Sequence, residues 1–188
     1  MQRLLSRNQL LLLGLLYTNP KKSYFMQEIG RILGKKPGVF QRALNALVAE
    51  GILVSEYRGH ARFFQANTRH PLYPELRGIV SKTSGAEGAL RHLMERLDGV
   101  RMALIYGSFA KGKEREDSDI DLLVVGNPRA ETLLIKELRG IEGQLQREIN
   151  YKLYNKPEYL RRRAKHDPFL EEILTDKWLV LKGNPDAV

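Results

Sequence analysis

The sequence predicts an α+β protein in two successive parts: three short helices closed by a β-hairpin, then a mixed sheet carrying its own helices. Three observations predict it. Helix caps, a tight turn and a hairpin pattern follow one another over residues 6–68. Two apolar runs of buried-strand type, Met102–Tyr106 and Ile120–Val125, then flank a Gly-Ser turn and an Asp-x-Asp segment. The charge divides at the same place. Residues 1–80 hold 12 Lys/Arg against 4 Asp/Glu, a balance of +8, whereas residues 81–188 hold 19 against 18, a balance of +1.

The first part starts at Ser6-Arg7-Asn8-Gln9. This S-x-x-Q pattern is that of a capping box, which satisfies two orphan donors at a helix start. The apolar run Leu10–Tyr17 that follows is too short to cross a bilayer, and no small-residue cleavage pattern ends it. A buried helix over about 7–17 is the expectation, with no membrane association. Ser23 is placed to cap a second helix, whose Met26, Ile29, Ile32 and Leu33 share one face and which Gly34 stops. The turn Gly34-Lys35-Lys36 leads to Pro37, suited to a first helical position because its missing N–H costs nothing there. The third helix then buries Phe40, Ala43, Leu44, Leu47 and Val48, leaving Gln41, Arg42 and Asn45 on its other face. Ile52-Leu53-Val54 and Arg62-Phe63-Phe64, joined around Arg58-Gly59-His60, form the hairpin.

Three helices with a tight turn before the third, followed by a hairpin, resemble the winged helix-turn-helix of prokaryotic transcription regulators over residues 5–68. The resemblance implies double-stranded DNA as partner, which the confined positive charge favours independently. A helix fits the major groove, where Asn and Gln pair with adenine and Arg with guanine. Gln41, Arg42 and Asn45 are therefore the candidate base readers. Lys35, Lys36, Arg58, His60 and Arg62 are the candidates for phosphate or minor-groove contact. A homodimer is expected, because operators with two-fold symmetry pair with dimers.

Pro71 marks a boundary, since the residue before a proline is biased away from helix. The expected organisation is a DNA-binding domain over 1–70, a helical connector over 71–85 and a second domain over 86–188. A further helical pattern, Leu90, Leu93, Met94 and Leu97, runs to Gly99. The chain has no cysteine, which excludes disulfides and thiolate metal sites. A reducing compartment suffices, and the cytoplasm is the expected location.

The chemistry is concentrated in the second domain. Asp119 and Asp121 stand two apart at a strand, so both carboxylates point to one face, roughly 7 Å apart along the chain. Ile120 and Leu122 point to the core. Like charges so placed suit a hard Mg²⁺ ion. Gly107-Ser108 lies where a strand meets a helix, and glycine there lets a phosphate approach the backbone. Ser108 adds a hydroxyl and Lys111 a positive charge.

Gly107-Ser108-x-Ala110-x-Gly112 followed by Ser118-Asp119-Ile120-Asp121-Leu122-Leu123-Val124 resembles the polymerase-beta-type nucleotidyltransferase superfamily, in particular its minimal nucleotidyltransferase branch, over about residues 86–182. The resemblance implies a nucleotidyltransferase-type mixed sheet with helices, Mg²⁺ held by Asp119 and Asp121 as the catalytic pair, and a nucleoside triphosphate resting on Gly107 and Ser108. Active members carry a third carboxylate on a later strand, where it helps activate the attacking hydroxyl. The matching strand here is Glu148-Ile149-Asn150-Tyr151-Lys152-Leu153-Tyr154, with Asn150 at the equivalent position and Glu148 one pleat away on the same face. An amide cannot accept a proton as a general base does.

The expected function is a DNA-binding transcriptional regulator whose nucleotidyltransferase-like domain binds a nucleoside triphosphate and Mg²⁺ but is catalytically impaired. The alternative is a working enzyme that moves a nucleotidyl group to a protein or small-molecule acceptor. A third possibility makes both parts interaction modules, as in a toxin–antitoxin pair. The helix opened by Pro157 carries Arg161, Arg162 and Arg163, read as a solvated face with phosphate contact as the alternative, and Trp178–Leu181 reads as a terminal strand or tail.

Overall fold

The computed structural model describes residues 5–112 and 118–187. The chain divides into two compact units, Met1–Gly88 with Gly143–Gln146, and Ala89–Glu142 with Arg147–Val188. Among the described residues no helix is long and apolar enough to cross a membrane.

In the first unit α1 (Arg7–Thr18) begins at the capping box. The Gln9 N–H donates to Ser6 Oγ at 3.3 Å, and the Ser6 N–H donates to Gln9 Oε1 at 2.8 Å. Leu12, Leu13, Leu15, Leu16 and Tyr17 are all buried, so the apolar run is core. The chain then forms β1 (Tyr24–Phe25) and α2 (Met26–Ile32). Ser23 does not cap α2. Tyr24 and Phe25 pair antiparallel with Phe64 and Phe63, the Phe25 and Phe63 rings lying 5.5 Å apart, and Phe25 occupies the cap position with no side-chain bond. A tertiary strand pairing thus overrides the local cap.

Gly34, at φ +62°, ends α2 in the left-handed conformation that glycine tolerates. A single 3₁₀ turn over Pro37–Phe40 leads into α3 (Gln41–Ala49), which buries Leu44 and Leu47. β2 (Leu53–Arg58) and β3 (Ala61–Ala66) form the hairpin, giving a three-stranded antiparallel sheet in the order β1-β3-β2. α4 (Tyr73–Thr83) follows, its Tyr73 ring 5.1 Å from that of Tyr17.

α5 (Ala86–Arg96) contributes buried Leu90, Leu93 and Met94, and Leu97 just after it is buried as well. The second unit is built on β4 (Val100–Tyr106), a single helical turn α6 (Gly107–Ala110), β5 (Ile120–Gly126), α7 (Glu131–Leu145), β6 (Ile149–Tyr154), α8 (Lys156–Ala164), α9 (Pro168–Thr175) and β7 (Leu179–Lys182). Its sheet runs β6-β5-β4-β7, with β5 and β6 parallel and the other pairs antiparallel. The parallel pair needs a crossover, which α7 supplies. One face of the sheet presents Met102, Leu104, Leu123, Val125 and Tyr154 to Tyr159 of α8 and to Leu170 and Ile173 of α9. Ile105, Leu122 and Val124 of the other face are buried too, so both faces are covered. The strand expected at Trp178–Leu181 begins one residue later and joins the sheet beside β4.

Candidate active site and basic cleft

Three strands bring the site together at one end of this sheet. β4 ends at Tyr106, which lies opposite Asp121 at the start of β5, and Asp121 in turn lies beside Asn150 at the start of β6. The chain leaves β4 through Gly107 at φ +73°. A Cβ at Gly107 would collide with the Asp121 carboxylate. The Gly-Ser turn and the acidic pair expected from the sequence are therefore neighbours, and only glycine permits this approach.

Asp119 and Asp121 are half-buried. Burial, and then the charge of Asp119, raise the Asp121 carboxyl above its ordinary value. A carboxyl whose proton is held more tightly when folded costs stability as pH rises through its titration. A divalent cation relieves that cost. Two carboxylates with room for waters and phosphate oxygens are the donor set Mg²⁺ takes, so the residues fit the ion. Among the described residues no group of three or more His, Cys, Asp or Glu converges on one point.

The third position is Asn150. Its Nδ2 donates to Asp119 Oδ2 at 3.0 Å. Glu148 lies one pleat earlier and exposed, and its backbone carbonyl accepts from the Ile120 N–H. The register therefore sets the amide, not Glu148, beside the acidic pair.

Ser108 follows Gly107 in α6, and Lys111 follows that turn. Lys111 forms an ion pair with Asp176, in the segment joining α9 to β7. Sequence reasoning missed this partner, since 65 positions separate the two and no local pattern links them.

Sequence reasoning also missed a pocket of about 310 Å³ beside Asn150, whose walls include Tyr106, Lys152, Tyr154, Arg162 and Phe169. Strand alternation was the available signal, since Asn150, Lys152 and Tyr154 share one face of β6. Phe169 meets Tyr106 edge-on, with ring centroids 5.8 Å apart. Burial first, then the nearby charge of Asp121, push the Tyr106 hydroxyl up to about 12. It stays protonated at neutral pH. Arg162 donates to Glu158 at 3.1 Å and to Asp167 at 2.9 Å, and lies 5.0 Å from the Tyr154 ring centre. The bond from Arg162 holds the Asp167 carboxyl below its ordinary value.

In the first unit, a cleft of about 630 Å³ between α3 and the hairpin brings five sequence-predicted residues together: Gln41, Asn45, Arg58, His60 and Arg62. Arg42 is exposed on α3 but lines a neighbouring hollow, and Lys35 and Lys36 are exposed on the turn before it. Arg58 pairs with Glu56 and lies 4.7 Å from the Phe63 ring centre. Arg62 faces inward. Its Nη1 donates to Asn45 Oδ1 at 2.9 Å, its Nη2 donates to Ser55 Oγ at 2.9 Å, and it lies 5.1 Å from the Phe64 ring centre. It ties the hairpin to α3.

The Nucleotidyltransferase domain family matches residues 89–185, 97 of the 188 in the chain. No curated protein matches the chain. Among solved structures, a toxin–antitoxin with AMP-PNP is similar at 17% identity over 52% of this chain and 73% of that one, with a TM-score of 0.36. A mutant of the toxin–antitoxin MntA-HpeT is similar at 13% identity over 53% and 74%, also with a TM-score of 0.36. The family match spans the four-stranded sheet, the Gly107 turn and the paired aspartates. The chain belongs to the nucleotidyltransferase domain family.

Proposed function

We propose that this chain is a DNA-binding transcriptional regulator whose nucleotidyltransferase domain binds a nucleoside triphosphate with Mg²⁺ and is impaired toward any acceptor that must lose a proton. The observation that carries this reading is the Asn150 amide bonded to Asp119, at the place where a family member needs a basic carboxylate. In this reading Asp119 and Asp121 hold the cation, which offsets the triphosphate's charge. The Gly107 turn admits the phosphates, Ser108 donates its hydroxyl, and Lys111 exchanges Asp176 for phosphate oxygen.

The winged-helix assignment of the first unit, and DNA as its partner, are supported by its +8 balance and by the exposed polar face of α3. In this reading α3 enters the major groove, and the hairpin lies along the backbone as the wing. Arg62 then acts on Asn45 rather than on a phosphate. Lys35, Lys36 and Arg58 are left for the backbone. Three phosphate contacts give a slope of about −2.7 in log affinity against log salt, or roughly a 40-fold loss between 50 and 200 mM. The test is a salt titration of the full chain on duplex DNA by fluorescence anisotropy. The steep fall is the expected result; affinity indifferent to salt removes DNA as the partner.

A further inference from the structure

The pocket beside Asn150 has an uneven charge distribution. Arg162 and Asp167 cancel one another: the guanidinium is spent on Asp167 and Glu158, and Asp167 also accepts from the Phe169 and Leu170 N–H groups. Lys152 is different. It lies exposed two residues after Asn150 on the same strand and lines the same pocket, with no hydrogen bond or ion pair among the described residues. The remaining walls include the rings of Tyr106, Tyr154 and Phe169. One uncommitted cation and aromatic surfaces, next to the acidic pair, make a site for a small anion with a carbon skeleton.

The chemistry at Asn150 narrows the choice. Attack on the α-phosphorus by a hydroxyl requires a base to take its proton, and an amide cannot do so. A phosphate monoester is already ionised at neutral pH, its second proton leaving with a pKa of about 6. It needs no base.

We propose that this pocket is the acceptor subsite of the nucleotidyltransferase domain and that its acceptor is a sugar phosphate, held at the phosphate by Lys152 and along the sugar by Tyr106 and Phe169. The proposal rests on the nucleotide-binding reading above. A phosphate oxygen of the acceptor forms a bond to the α-phosphorus of the nucleoside triphosphate. The bond from the α-phosphorus to the bridging oxygen breaks, and pyrophosphate leaves with its electron pair. The product is a sugar joined to the nucleoside through two phosphates, and no proton changes hands. The lost carboxylate then acts as a filter on the acceptor class rather than a loss of all chemistry.

The experiment has a binding arm and a transfer arm. Ribose 5-phosphate and glucose 1-phosphate are titrated calorimetrically into the full chain in EDTA, beside ribose and glucose. At least one sugar phosphate binds, its parent sugar does not, and Lys152→Ala weakens binding about 10- to 100-fold, the usual worth of a hydrogen bond to a charged group. Lys152→Arg retains it. With Mg²⁺ and an α-labelled triphosphate, the native chain yields labelled sugar nucleotide and pyrophosphate from the sugar phosphate, at least 100-fold above any product from the free sugar. Binding of a fluorescent ATP analogue is followed in parallel. Its absence defeats the nucleotide-binding reading. ATP bound with neither sugar phosphate bound, or with one bound and no transfer, overturns the acceptor assignment alone. Equal transfer to free sugars, or a Lys152→Ala protein that binds as the native one does, overturns it as well.

Discussion

Asn150→Asp is expected to raise nucleotidyl transfer to a plain hydroxyl acceptor by about 10²–10⁴-fold, the usual contribution of a positioned general base. The register sets residue 150 beside Asp121, and its side chain already reaches Asp119, so the new carboxylate needs no rearrangement to join the pair. The substitution also removes the amide donor from Asp119 and adds a third negative charge where burial and Asp119 already raise Asp121. The metal-free variant should therefore melt below the native protein and recover when Mg²⁺ is added. Glycerol with α-labelled ATP gives the rate, and a thermal scan with and without Mg²⁺ gives the second readout. A native protein that transfers to glycerol as fast as the variant contradicts the role assigned to Asn150.

Gly107→Ala is expected to cost about 1–2 kcal/mol of stability, because a side chain in the left-handed region meets its own carbonyl. ATP affinity should fall by more than tenfold, because the new methyl displaces the Asp121 carboxylate as well. Gly112→Ala separates the two effects. Gly112 also has a positive φ, +68°, but a Cβ there meets nothing within 4 Å among the described residues. That variant should share the backbone cost and keep its nucleotide. Thermal melts and ATP titrations of both proteins check the contrast, and equal losses of affinity would place the defect in backbone strain alone.

What the sequence made legible was local. The alternation through Ile120, Asp121 and Leu122 placed two carboxylates on one face, and the Ser6–Gln9 box marked the start of α1. The equivalence of Asn150 to the third carboxylate position came from the family resemblance, and the β5–β6 pairing puts it beside Asp121. What escaped was set by distant partners. Phe25 was drawn into pairing with Phe63, which displaced the helix start from Ser23. The bonds from Arg62 to Asn45 and Ser55 likewise join positions 17 and 7 residues apart, which no local pattern links. The helix α9 was missed for a weaker reason. Asp167-Pro168 is a cap followed by a first-position proline, and Asp167 does accept from the Phe169 and Leu170 N–H groups, so the signal was present.

Asp121 against the Gly107 turn and Asp119 against Asn150 underlie both nucleotide and acceptor binding in this reading, and they can be tested without knowing either the operator or the acceptor. The measurement is an ATP titration of the native chain, with and without Mg²⁺, beside Asp121→Asn. One ATP per chain, bound only with Mg²⁺ and lost in the variant, is the predicted result. ATP binding that ignores both the cation and Asp121, or no binding at all, contradicts it.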